Sequence, residues 1–179
     1  MTVPNILSLF RLFLVPVFAV VFFQPIPDAH TWAALIYLVA FVTDIADGGI
    51  ARHFNQISKL GRILDPAADK WMTFTVIICI TVDGIIPLWA VIVFFCKELC
   101  MAIGGYLMYR RLGDVMPSNW LGKLSTGVFF VVCVALMLFS DIPRAGRTAM
   151  IGGALALTLV ALVGYIYQYC RIMKERKPA

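Results

Sequence analysis

The sequence predicts an all-α, polytopic integral membrane protein with six transmembrane helices. Three observations predict it. Of 179 residues, 61% are hydrophobic and only 14% are charged, whereas an ordinary soluble domain is about half apolar and about a quarter charged. The apolar residues gather into six runs, each near the roughly 20 residues that a membrane helix needs. Lys and Arg concentrate on alternate connections between those runs. A soluble chain this short has too little interior to hide so many apolar side chains. The composition also excludes a disordered chain, a nucleic-acid-binding tail and a disulfide-stapled module. No room is left for a second soluble domain, so residues 1–179 read as a single membrane domain. Any chemistry must be built from the helices and their ends.

The first run extends from about Ile6 to Phe23 and stops before Gln24-Pro25-Ile26-Pro27-Asp28. Arg11 lies inside it and no small-residue cleavage site follows, so it reads as a membrane helix rather than a leader. The second runs from near Thr31 to about Arg52, and a polar stretch follows from His53 to Arg62. The third begins near Asp65-Pro66, with Asp65 placed to cap it and Pro66 at its first position. It ends at Asp83-Gly84. The fourth runs from Pro87 to about Arg110, the fifth from Leu121 to Ser140 and the sixth from Thr148 to Cys170.

Ten basic residues lie in the 2–3 connection, the 4–5 connection and the C-terminal tail, against Arg144 and Arg147 on the other side. Basic residues favour the cytoplasmic side. An even number of spans then puts both termini in the cytoplasm, the Arg144–Arg147 pair being the imperfect part of the fit. The net charge of +5 also suits attraction to anionic lipid. The five cysteines all fall in apolar runs without a CxxC pair, which fits reduced packing residues. His30 on the outer side reads as solvent-exposed.

Ionisable groups inside membrane segments are costly unless paired, solvated or metal-bound, and are functional candidates by default. Arg11, Asp44, Asp47, Lys70, Lys97 and Glu98 are such groups, with Asp65 and Asp69 at a helix mouth. Asp44 and Asp47 are spaced i, i+3, and Asp65 and Asp69 i, i+4, so each pair projects from one helix face. A short connection makes the two helices antiparallel neighbours and brings four carboxylates together. An all-oxygen cluster of this kind suits Mg²⁺ or Mn²⁺, and four carboxylates suffice for two ions. The alternative is that each Asp caps a helix or pairs with Arg52, Lys59, Arg62 or Lys70. Asp44 and Asp47 fit that alternative poorly, because they sit in an apolar helix where no cap is needed.

Asp44-Ile45-Ala46-Asp47-Gly48-Gly49-Ile50-Ala51-Arg52, eight residues, Gly61, three residues, Asp65, three residues, Asp69: this pattern resembles, without a spacing change, the signature D-x2-D-G-x2-A-R-x8-G-x3-D-x3-D of the CDP-alcohol phosphatidyltransferases. Eight specified residues at ordinary usage of ~5–8% each arise by chance with a probability on the order of 10⁻¹⁰ per position. The motif spans 26 residues, and the six-helix layout extends the resemblance over the chain. Pro4-Asn5-Ile6-Leu7-Ser8 and Arg11 are similar to the opening of the bacterial phosphatidylglycerophosphate synthases.

The resemblance implies that Asp44, Asp47 and Asp65 hold two metal ions, with Asp69 completing the site and acting as general base. It implies that Gly48, Ala51 and Arg52, with Gly61 close by, line a pocket for the CDP moiety, and that Asn5, Ser8 and Arg11 reach the nucleotide or its phosphates. It also implies a homodimer in the bacterial cytoplasmic membrane, and a cytoplasm-facing active-site cavity. The residue types fit these roles. Gly48 lets a diphosphate approach the backbone, although glycine also serves helix packing. Arg52 offers a planar fork to phosphate or anchors at the interface.

The donor is then CDP-diacylglycerol and the acceptor an alcohol, with glycerol 3-phosphate the leading choice. That acceptor needs further cations, for which Lys59, Arg62, Lys97, Arg110 and Lys123 are candidates. Many phosphatidylglycerophosphate synthases carry an Arg-Glu pair in the fourth helix, where this sequence has Lys97-Glu98, so the bidentate geometry is missing. A cardiolipin synthase using phosphatidylglycerol is the rival within the class. A divalent-cation transporter is the rival outside it. Carboxylates clustered at one membrane face, rather than along a pore, argue against the transporter.

Overall fold

Among the described residues six α-helices follow one another: α1 (Val3–Phe22), α2 (Ala29–Phe54), α3 (Gly61–Val82), α4 (Leu88–Leu112), α5 (Trp120–Leu138) and α6 (Arg144–Glu175). The computed structural model describes the backbone of residues 3–54, 61–112, 120–139 and 141–175, and the side chains of 6–45, 67–107, 110, 120–139, 141–168 and 171–172. No strand occurs among the described residues. Leu88–Leu107, Trp120–Leu138 and Arg144–Gln168 are each long and apolar enough to cross a bilayer, and Ile6–Phe22 and Ala29–Ile45 are shorter apolar segments.

Two helix starts differ from the sequence reading. α3 opens at Gly61, so Asp65 is not its cap and Pro66 is not its first residue. Proline inside a membrane helix is tolerated where packing carries the helix through it, and the buried stripe Ala68, Met72, Val76 and Ile80 does so here. Gly61 is accordingly the first residue of the helix. α6 begins at Arg144, directly after Pro143. The Pro143 carbonyl accepts the Arg147 N–H at 3.0 Å, and Arg147 Nε donates to the Ile142 carbonyl at 2.7 Å. The α3 end matches expectation. Gly84 adopts φ +72°, its N–H donates to Thr81 and the Ile85 N–H donates to Ile80, both at 2.9 Å. This is the left-handed glycine stop of a helix.

Contacts divide the chain into two compact units, Met1–Ile85 with Val134–Asp141, and Ile86–Cys133 with Ile142–Ala179. In the first, α1 packs against both α2 and α3, which also touch each other. Ala33, Ala34 and Ala40 of α2 are buried, and such small residues allow close helix approach. Phe18 stacks on Phe22 at 5.7 Å between centroids and meets the Tyr37 ring edgewise at 6.3 Å. Buried positions on α1 run Ser8, Arg11, Leu14, Phe18 and Phe22. One stripe is therefore polar near its start and aromatic near its end.

In the second unit α4 packs on α6, and Phe94 stacks on Phe129 of α5 at 5.1 Å. Buried Ser125 and Thr158 donate to the carbonyls of Gly122 and Leu155 one turn back. That is how hydroxyls are satisfied in apolar surroundings. Cys79 and Cys133 are buried packing residues, as expected, whereas Cys96 and Cys100 are exposed on α4. α4 is apolar on most of its surface, so an apolar run does not say which of its faces is covered. Cys170 lies outside the residues with described side chains.

Candidate active site

The candidate site lies within the first unit, where α1, α2 and α3 bring their charged residues to one end. Asp44 is fourteen residues beyond His30 on α2, and Asp69 is fourteen residues before Asp83 on α3. His30 Nε2 and Asp83 Oδ2 meet at 3.5 Å. At 1.5 Å of rise per residue, Asp44 and Asp69 therefore stand at one level, about 21 Å from that contact. α2 and α3 run antiparallel, with Asp44 and Asp69 at one level.

α1 enters at the same level. Arg11 Nη1 lies 2.7 Å from Asp44 Oδ1. The Arg11 side chain is 1% exposed and that of Asp44 40%. The guanidinium thus meets the carboxylate from the protein interior, and the carboxylate keeps an open side. Ser8, one turn before Arg11, is fully covered. Two threonines secure the backbone beside the acids. Thr43 Oγ1 donates to the Val39 and Ala40 carbonyls, both at 2.8 Å, and Thr73 Oγ1 donates to the Asp69 carbonyl at 3.0 Å. The side chain of Asp69 is half-buried, and Lys70 beside it is exposed.

The other expected residues are placed as follows. Asp47 sits one turn beyond Asp44 in α2, and Asp65 one turn before Asp69 in α3. Both lie outside the residues with described side chains, as do Asn5, Gly48, Ala51, Arg52, Gly61 and Arg62, whose backbones are helical. Lys59 lies outside the described residues altogether. No group of three metal-ligating side chains is found among the described residues, a set that holds only two of the four aspartates. In the second unit, Lys97 Nζ lies 2.5 Å from Glu98 Oε1, with exposures of 11% and 10%. It also lies 5.6 Å from the centre of the Phe94 ring. Lys97 and Glu98 thus pair with each other within the apolar span Leu88–Leu107. Arg110, in the last turn of α4, and Lys123, in the first turn of α5, are exposed.

Sequence reasoning assigned Asp44 possible partners in Arg52, Lys59, Arg62 and Lys70, and missed Arg11. The signal was present. An arginine inside an apolar helix needs an acid at its own depth, and Arg11 and Asp44 lie at similar chain distances from the turn around Ile26. His30 also differs from expectation. It stacks against Phe22 at 4.7 Å and faces Asp83, because the two helix ends meet there.

Residues 1–164 match the family model described as CDP-alcohol phosphatidyltransferase. The chain is 38% identical to a Streptomyces coelicolor protein named cardiolipin synthase (CMP-forming), over 79% of this chain and 66% of that protein. It thus spans just under two thirds of that relative's length. It is 32% identical to a CDP-diacylglycerol–glycerol-3-phosphate 3-phosphatidyltransferase of Bacillus subtilis, over 75% of this chain and 76% of the other. A protein of the same name from Blochmanniella floridana is 30% identical over 98% of this chain and 94% of its own. The three long apolar helices and these likenesses make the chain an integral membrane protein of the bacterial membrane.

Proposed function

The chain belongs to the CDP-alcohol phosphatidyltransferase family, and we propose that it transfers a phosphatidyl group from CDP-diacylglycerol to glycerol 3-phosphate. The products are CMP and phosphatidylglycerophosphate. The observation that carries this reading is the unbroken eight-position motif, whose described carboxylates, Asp44 and Asp69, stand at one level on antiparallel helices. The Bacillus subtilis and Blochmanniella floridana relatives carry the name of this reaction. A second reading takes phosphatidylglycerol as the acceptor, which the name of the Streptomyces coelicolor relative favours.

The family generally uses divalent metal ions. We assign two, Mg²⁺ or Mn²⁺, to Asp44, Asp47, Asp65 and Asp69. The donor set fits hard cations, being all carboxylate, and the open side of Asp44 is available to one. When bound, such ions neutralise the diphosphate and the departing CMP.

The chain's own residues then act as follows. Asp69 accepts the proton of the acceptor hydroxyl as its oxygen attacks the phosphorus on the diacylglycerol side. The bond from that phosphorus to the oxygen of CMP breaks, and CMP carries away the electron pair. Gly48, Ala51, Arg52 and Gly61 form the nucleotide pocket, with Asn5 contributing from α1, whereas Ser8 is covered beside Arg11. Lys59 and Arg62 supply charge for an acceptor phosphate, and Lys97 acts with Glu98 as a neutralised pair. All six helices cross the bilayer in one functional domain of residues 1–179. Both termini and the site cavity face the cytoplasm, and two copies form a homodimer. The acyl tails of the donor stay in lipid while a polar acceptor arrives from water.

The test is CMP release by the purified protein with CDP-diacylglycerol, Mg²⁺ and each acceptor in turn. Release with glycerol 3-phosphate is expected. Release only with phosphatidylglycerol selects the second reading, and none with any alcohol overturns both.

A further inference from the structure

We propose that Arg11 is the internal counter-ion of Asp44, a positioning residue that orients this carboxylate and restrains the site's pull on divalent cations. This replaces the contact to nucleotide or phosphate that the resemblance implied for Arg11. The inference rests on the reading of Asp44 as a metal ligand. It starts from an asymmetry in one ion pair. The two groups are 2.7 Å apart, yet Arg11 is 1% exposed and Asp44 40%. A guanidinium covered this completely offers no open surface to a diphosphate. The carboxylate it holds does have an open side.

Burial also sets the cost of change. A guanidinium remains charged under all ordinary conditions and is expensive within a membrane unless paired. Its neighbours along the α1 stripe are Ser8, one turn before, and Leu14 and Phe18 beyond, none of which carries charge. Across the helix interface, Asp44 supplies an anion to Arg11 at 2.7 Å. In return, Arg11 places a fixed positive charge behind an acid assigned to the metal site. The carboxylate is kept in one orientation before any cation arrives. A cation at its open side meets a ligand whose charge is already partly offset, so divalent binding is weaker than an unpaired Asp44 would give.

The experiment compares wild type, Arg11→Met and Arg11→Lys in detergent, reading the rise in Tm against Mn²⁺ concentration without substrates. Wild type is expected to be stabilised by Mn²⁺, and Arg11→Met to reach half of its gain at about tenfold lower Mn²⁺. Arg11→Lys keeps the charge, so its half-saturation stays within about threefold of wild type. Equal or weaker Mn²⁺ response in Arg11→Met overturns the inference and leaves the metal site standing. No Mn²⁺ effect in wild type overturns the metal reading of Asp44, and the inference with it. Should Arg11→Met fail to fold, the kinetics of Arg11→Lys decide. Loss of the planar fork lowers kcat with the KM for CDP-diacylglycerol unchanged. A raised KM with unchanged kcat marks a nucleotide contact and overturns the inference.

Discussion

Each end of the three-helix unit is tied by an ion pair between helices, but the two pairs differ in their surroundings. Arg11 and Asp44 join α1 to α2 at 2.7 Å, with the arginine covered. His30 and Asp83 join the first turn of α2 to the end of α3 at 3.5 Å, with about a third of each side chain exposed. At the His30 end, each partner has water available when the other is removed. At the Arg11 end, losing the acid removes a contact from a guanidinium that water does not reach. Removing one member of a buried pair is far more costly than the pair's net contribution to stability. The same type of contact is thus a dispensable clasp at one end and an obligatory arrangement at the other.

The largest expected effect tests the chemistry of the buried end. Asp69→Asn keeps the shape of the side chain and removes the base. Turnover, read as CMP release, should fall by about 10²–10⁴-fold, while CMP binding measured by calorimetry persists. Full activity would remove Asp69 from that role.

A smaller effect tests the pair itself. Asp44→Ala removes the acid 2.7 Å from Arg11 and should destabilise the metal-free protein by about 3 kcal/mol, the lower end of the range because Asp44 is partly open. Denaturation in a mild detergent reads this. An unchanged midpoint would mean that Arg11 finds another anion.

The smallest effect belongs to the opposite end. His30→Ala should cost about 1 kcal/mol or less and leave turnover within about twofold of wild type. A loss as large as that of Asp44→Ala would erase the contrast between the ends. The cavity between the helix ends there, lined by Gln24, Asp28, His30, Asp83, Met137 and Leu138 among others, would then deserve the same scrutiny as the site.

Much of this arrangement was legible in the residues. The six runs locate the six helices because an apolar stretch of membrane length has few other stable states. The spacing of the motif anticipated the common level of Asp44 and Asp69 because helical rise is local. Helix starts were less legible. Asp65-Pro66 has the local chemistry of a start, yet α3 begins at Gly61, since packing farther along the helix carries it back through the proline. Arg144 and Pro143 were likewise read as a connection, although the helix begins there.

By itself the sequence determined that this chain lies in a membrane as helices, and that its acids are grouped for head-group chemistry. Composition and spacing along one chain are enough for both conclusions. Only the tertiary structure decided that Arg11 faces Asp44 from within, that Ser8 is sealed beside it, and that His30 meets Asp83. Those outcomes depend on the depth and rotation at which α1, α2 and α3 settle against one another. Depth and rotation come from the fit of side chains across helices, which no single helix encodes.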